Sequence, residues 1–201
     1  MRLSSCKDPE LVALPDGTID PVMQTIAFFE RETKLVSCHY YATHPMSCYG
    51  NGRVSSDFCG LARKSRQREQ PECTHVYFTG CAGNIAAGKY NDGSIEGRRT
   101  LTRRIHEAMI AAEAKLHPCP LEHVTWDVEG VLPRPPAAPD ANALAAVIAD
   151  SGLPRSNRMM AAFRLGWIRR FGSGAPLILS CLRLNEISIL HLPGEMFVEY
   201  Q

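Results

Sequence analysis

Three short stretches place reactive side chains at the ends of apolar runs, where a rigid scaffold can hold them beside an opening. They are Tyr40-Tyr41-Ala42-Thr43-His44-Pro45, the glycine-rich run GCAGNIAAG at 80–88, and Leu192-Pro193-Gly194-Glu195. The imidazole of His44 can ligate a metal or carry a proton, and Pro45 after it holds His44 in extended backbone. A hydrogen-bonded structural histidine is the competing reading. The Glu195 carboxylate can be a ligand or a base, or can sit at a helix N-terminus favoured by the dipole. Gly80, Gly83 and Gly88 invite a phosphate-loop reading, but the run has neither G-K-[ST] nor G-x-G-x-x-G. Close backbone approach at glycine, with the Asn84 amide orienting a substrate or its neighbours, fits the run better.

The elements that must position these groups follow from pattern. Residues 22–29 and 34–41, apolar and β-branched or aromatic around a charged break, read as a β-hairpin. A basic helix is expected over 57–70, capped by Ser55 or Ser56, and a short strand over 75–79 leads into the glycine-rich run. From 95 to 116 the apolar positions Ile95, Leu101, Ile105, Met109, Ala112 and Leu116 follow one helical face, with Ser94 as N-cap. Residues 121–131 alternate as a strand, 132–141 form a Pro- and Ala-rich surface connector, and 140–150 and 156–170 are helical. Residues 176–183 and 186–192 form a second hairpin around Asn185. The fold class expected is α/β, with a mixed and partly antiparallel sheet flanked by helices.

At 201 residues and 45% hydrophobic content, the chain is expected to form a single domain over 1–201. A net charge of +1 supplies no field to attract nucleic acid. The basic runs at Arg63, Lys64, Arg66 and Arg68 and at Arg164, Arg169 and Arg170 lack interleaved aromatics, so no nucleic-acid partner is expected. No apolar stretch reaches transmembrane length, and the start MRLSSCKDPE lacks the apolar core of a secretory signal. Eight cysteines show no C-x-x-C pair and read as reduced, half-buried thiols.

Taken in order, the stretches resemble the neutral ceramidase family. Thr43-His44-Pro45-Met46-Ser47 followed by VSSDFCGLA at 54–62 is similar to the family's His-Pro and Ser-x-Asp-x-x-Gly-x-Ala pattern around a zinc-binding histidine. FTGCAGNIAAG at 78–88 is similar to its nucleophile loop, and Leu192-Pro193-Gly194-Glu195-Met196-Phe197 resembles its Pro-Gly-Glu-Phe segment. The resemblance implies zinc as cofactor, His44 and Glu195 as two ligands, and hydrolysis of an N-acyl amide bond, beside Asn84 as the orienting residue already read from the loop. A lipid amide, sphingolipid-like, is the substrate class it implies, and secretion is left open for a longer form.

Three departures go with it. The family's upstream His-x-His has no counterpart before His44, since His39 falls in the hairpin. Its final tyrosine ligand has none after Glu195, Tyr200 being too near. Ala86 stands at the reactive serine, which closes an acyl-serine route there and leaves metal-activated water as the attacking species. The chain therefore resembles a partial catalytic domain or a reduced relative, and a catalytically inactive ligand-binding scaffold is the alternative function. Met159, Met160, Phe163, Leu165 and Trp167 read as helix core in preference to a lipid groove.

Overall fold

The computed structural model describes residues 3–50, 52–132 and 140–201; within the expected connector, 133–139 lie outside the described residues. Mixed α/β architecture is present, in two three-stranded sheets with helices. The span read from the sequence as one domain comprises two compact units, Met1–Pro120 with Glu195–Gln201, and Leu121–Gly194.

In the first unit, a short helix α1 (Pro9–Ala13) is capped by the Asp8 carboxylate, which accepts from the Glu10 and Leu11 N–H groups. Strands β1 (Gln24–Glu30) and β2 (Thr33–Tyr41) pair antiparallel, and the basic helix α2 (Asp57–Glu69) carries the chain to β3 (Thr74–Thr79), which pairs parallel to β2. A parallel neighbour requires such a crossover. Ser56 occupies the α2 N-cap without a side-chain cap bond; Ser55 Oγ instead accepts from the Asp57 N–H.

Helix α3 (Ile95–Glu113) starts where expected, with Ser94 Oγ accepting from the Gly97 N–H at 2.9 Å. Its stripe of Leu101, Ile105 and Met109 joins Phe58, Cys59 and Ala62 of α2 in one core cluster. Ile95 is exposed, and Leu116 falls beyond the helix end. The sheet presents Ser37, His39 and His75, all buried, on one face, while Phe78 on the other is exposed and stacks on Tyr40 at 4.9 Å. Alternation along the strands thus buries the more polar face, which is stable only if each polar group finds a partner.

In the second unit, β4 (Val124–Val131), β5 (Leu177–Leu184) and β6 (Ile187–His191) form an antiparallel meander. Asn185, with φ 51°, makes the β5–β6 turn, and its side-chain oxygen accepts from the Glu122 and His123 N–H groups. Helices α4 (Ala141–Ala149) and α5 (Arg155–Gly172) pack through Leu144, Ala161 and Leu165. Of the five residues expected as helix core, only Leu165 is buried; Met159, Met160, Phe163 and Trp167 are exposed. The reason is rotational: α5 turns its Ala161–Leu165–Ile168 stripe to α4, and the larger side chains lie off that stripe.

No helix among the described residues is long and apolar enough to cross a membrane. All eight cysteines are free thiols, with Cys6, Cys59 and Cys73 buried and Cys119 exposed. Burial pushes the Cys59 thiol up to about 12 and raises Cys81 as well, which keeps both protonated and weakly nucleophilic.

Candidate metal centre

The first unit brings together His44, the glycine-rich run and, from the third sequence-selected stretch, Glu195. His44 follows β2, and its backbone N–H donates to the Ile85 carbonyl at 3.1 Å. Its Nδ1 lies 3.0 Å from the same oxygen. A carbonyl can only accept, so Nδ1 carries a proton and the ring turns Nε2 outward from the loop. Nε2 lies 3.4 Å from Glu195 Oε1, a residue about 150 positions away in the chain. A carbonyl-anchored imidazole with its second nitrogen facing a carboxylate is the arrangement that orients a metal-ligating histidine.

The glycine-rich loop supports the carboxylate's segment. Gly83 N–H donates to the Met196 carbonyl at 2.8 Å, and a Cβ at position 83 would lie 2.7 Å from the Glu195 carbonyl oxygen and 2.9 Å from the Phe197 ring. Only glycine lets the two backbones approach so closely. Asn84 Oδ1 accepts from the Val198 N–H at 3.0 Å, while its Nδ2 donates to Glu199 Oε2 at 2.9 Å. In this structure Asn84 ties the loop to the 195–201 segment. Ala86 offers the site only a methyl group.

Behind His44, the loop 44–48 is clamped by buried Asp57. Its carboxylate accepts from the Ser47 N–H at 2.9 Å, the Cys48 N–H at 3.3 Å, the Phe58 N–H at 2.6 Å and the Ser47 hydroxyl. Asp57 holds a left-handed φ of 49°, uncommon for a non-glycine residue. Asn91, fully buried, adds Nδ2 bonds to the Ser4 and Ser47 carbonyls at 2.7 and 3.2 Å.

A second cluster escaped sequence reasoning. His39, His75 and Glu113 have ligand atoms within 4.8 Å of one another, and no other such group of three or more occurs among the described residues. The imidazoles stack with ring planes 3° apart, His39 Nε2 lies 3.1 Å from His75 Nδ1, and His39 Nδ1 lies 2.9 Å from Thr25 Oγ1. Glu113 accepts from Lys34 Nζ and Ser37 Oγ, each at 2.6 Å, and from Arg66 Nε and Nη2 at 3.0 and 2.5 Å. Burial by itself would raise the Glu113 carboxyl, but the bonds from Lys34, Ser37 and Arg66 outweigh it and hold the group at about 2. Burial lowers His39 to about 4, against a partial upward pull from Glu113, and lowers His75 in the same way.

The donor set of this cluster could take a metal ion, and neutral imidazoles are the form a metal needs. Apart from His75 Nε2, its donor atoms are already hydrogen-bonded, however, and Lys34 and Arg66 put two positive charges against the one carboxylate. An ion would have to displace Lys34 Nζ and part the two histidines. As built, the cluster is an ion-paired core network; His75 Nε2 alone within it is buried without a partner. No sequence motif announces it, because its members come from β2, β3 and α3 with no characteristic spacing.

The fit of zinc to His44 and Glu195 is partial. They supply a nitrogen and an oxygen donor of the right chemistry on a pre-oriented scaffold, against the three protein ligands usual at a catalytic zinc. Comparison with known proteins gives no further guide: no family model, no curated protein and no solved structure matches the chain.

Proposed function

We propose that this protein is a zinc-dependent amidohydrolase resembling the neutral ceramidases, with His44 and Glu195 as two of its metal ligands and an N-acyl amide, lipid-like, as substrate. The observation that carries the reading is the His44 Nε2–Glu195 Oε1 approach of 3.4 Å, with Nδ1 anchored on the Ile85 carbonyl. That contact joins, through the glycine-rich loop, three segments that the sequence singled out separately. The chemistry a zinc ion supplies in such a place is polarisation of a carbonyl and activation of water. The chain's own residues contribute orientation. Ile85 fixes the imidazole, Gly83 and Asn84 hold the 195–201 segment against the loop, and Asp57 holds the loop that carries His44.

A second reading, a non-catalytic scaffold that binds a ligand in the same region, is favoured by Ala86, which has no hydroxyl, and by the absence of a third donor grouped with His44 and Glu195 among the described residues. Zinc content and binding affinity, measured on the parent, His44→Ala and Glu195→Gln proteins beside an N-acyl amide hydrolysis assay, separate the two. Stoichiometric zinc and hydrolysis lost together in both variants support the hydrolase. A folded parent that takes up no zinc overturns it.

A further inference from the structure

A cavity of about 330 Å³ opens in the first unit on the loop that anchors His44. Its volume lies at the lower end of small-molecule sites, about 300–1,000 Å³. Phe58, Leu101 and Ile105, which belong to the main core cluster, form its apolar wall, and Ile85 and Ala86 of the loop also line it. His44 and Glu195 do not contribute to its lining.

The polar lining is a compact charged group. Lys89 Nζ lies 3.1 Å from Asp16 Oδ2, and the Tyr90 hydroxyl donates to the same oxygen at 2.8 Å. The Arg104 guanidinium lies over the Tyr90 ring, 5.2 Å from its centroid, and among the described residues no carboxylate comes within ion-pair distance of it. Asp16 is thus engaged by Lys89 and Tyr90, while Arg104 presents a guanidinium with no carboxylate partner among the described residues, beside an apolar wall. One guanidinium beside an apolar wall suits a carboxylate on an apolar body, which it can bind through two parallel N–H bonds.

We propose that this cavity binds an amphiphilic monocarboxylate, its apolar body against Phe58, Leu101 and Ile105 and its carboxylate at Arg104. The site is separate in its residues from the proposed metal ligands and does not depend on zinc. It touches them through one loop: Ile85, which lines the cavity, also holds the His44 ring.

Decanoate, kept below its micelle concentration, and decanol are titrated by calorimetry into the zinc-free parent, Arg104→Gln and Ala86→Leu proteins. The expected result is saturable one-to-one decanoate binding, weakened about threefold to fivefold by Arg104→Gln, as for a solvent-accessible charge pair of up to about 1 kcal/mol. Decanol binding is expected to be equal in parent and Arg104→Gln, and both ligands to be excluded by the larger side chain of Ala86→Leu. Arg104 is exposed, so its variant tests the carboxylate seat even if Ala86→Leu fails to fold. No saturable decanoate binding by the parent, or an unchanged affinity in Arg104→Gln, overturns the proposal. Repeating the titration on His44→Ala keeps the two readings apart: a loss of zinc leaves decanoate binding in place.

Discussion

Replacing Glu113 by glutamine removes the one negative charge on which Lys34, Ser37 and Arg66 converge, at a site only 6% exposed. The amide can still accept on its oxygen, but its NH2 then faces a cation that has nothing to donate to. The size of the loss follows from the carboxyl's displacement, from 4.5 to about 2. That difference of about 2.5 units corresponds to about 3 kcal/mol. Breaking a buried ion pair by removing one partner costs a comparable amount, about 3–5 kcal/mol. The folded carboxyl lies below its unfolded value, so the stabilisation is present above pH 4.5 and is lost as pH falls from 4.5 towards 2. Glu113→Gln should therefore be about 3 kcal/mol less stable at pH 7 and should lack that acid step. Native-state hydrogen exchange of the β2 and β3 amides is the suitable assay, because Trp126 and Trp167 both lie in the second unit and fluorescence would follow that unit alone. A variant within 0.5 kcal/mol of the parent that keeps the acid step would refute the assignment of Glu113 as the cluster's charge centre.

The buried histidine pair adds a separate phase. With His39 lowered from 6.5 to about 4, its contribution is complete above pH 6.5 and declines as pH falls from 6.5 to 4; exchange measured against pH should show a smaller step in His39→Gln, with the part due to His75 remaining. Asp57→Ala, which deprives four donors of their acceptor and leaves alanine at a positive φ, should cost about 3 kcal/mol, with the Ser47 and Cys48 amide signals showing new exchange in NMR spectra. Met109→Ala, at a fully buried position of the α2–α3 core, should lower first-unit stability by about 2–5 kcal/mol in the same exchange assay.

Much of the element order was legible because its signals are local. Ser94 caps α3 through Gly97, Asn185 takes the positive φ of the β5–β6 turn, and the spacing of Leu101, Ile105 and Met109 within one helix marks its apolar face, although its burial comes from α2. Helix α1 was missed, since five residues give no periodicity to detect. The rotation of α5 was missed for the opposite reason: Phe163 and Trp167 are as apolar as any core residue, and only packing against α4 decides which stripe is covered.

By itself, the sequence determined the strands and the longer helices, the close-packed points at glycine, and the three stretches able to carry chemistry. It named His44, Asn84 and Glu195 from residue type and setting. The tertiary structure decided that these meet: His44 faces Glu195 across the glycine-rich loop, and Gly83 is small because the 195–197 backbone lies against it. It also decided that the sheet buries Ser37, His39 and His75. A strand's alternation says that two faces differ, but which face a helix covers depends on where partners lie. Here Glu113, Lys34 and Arg66, distant in sequence, satisfy the polar one.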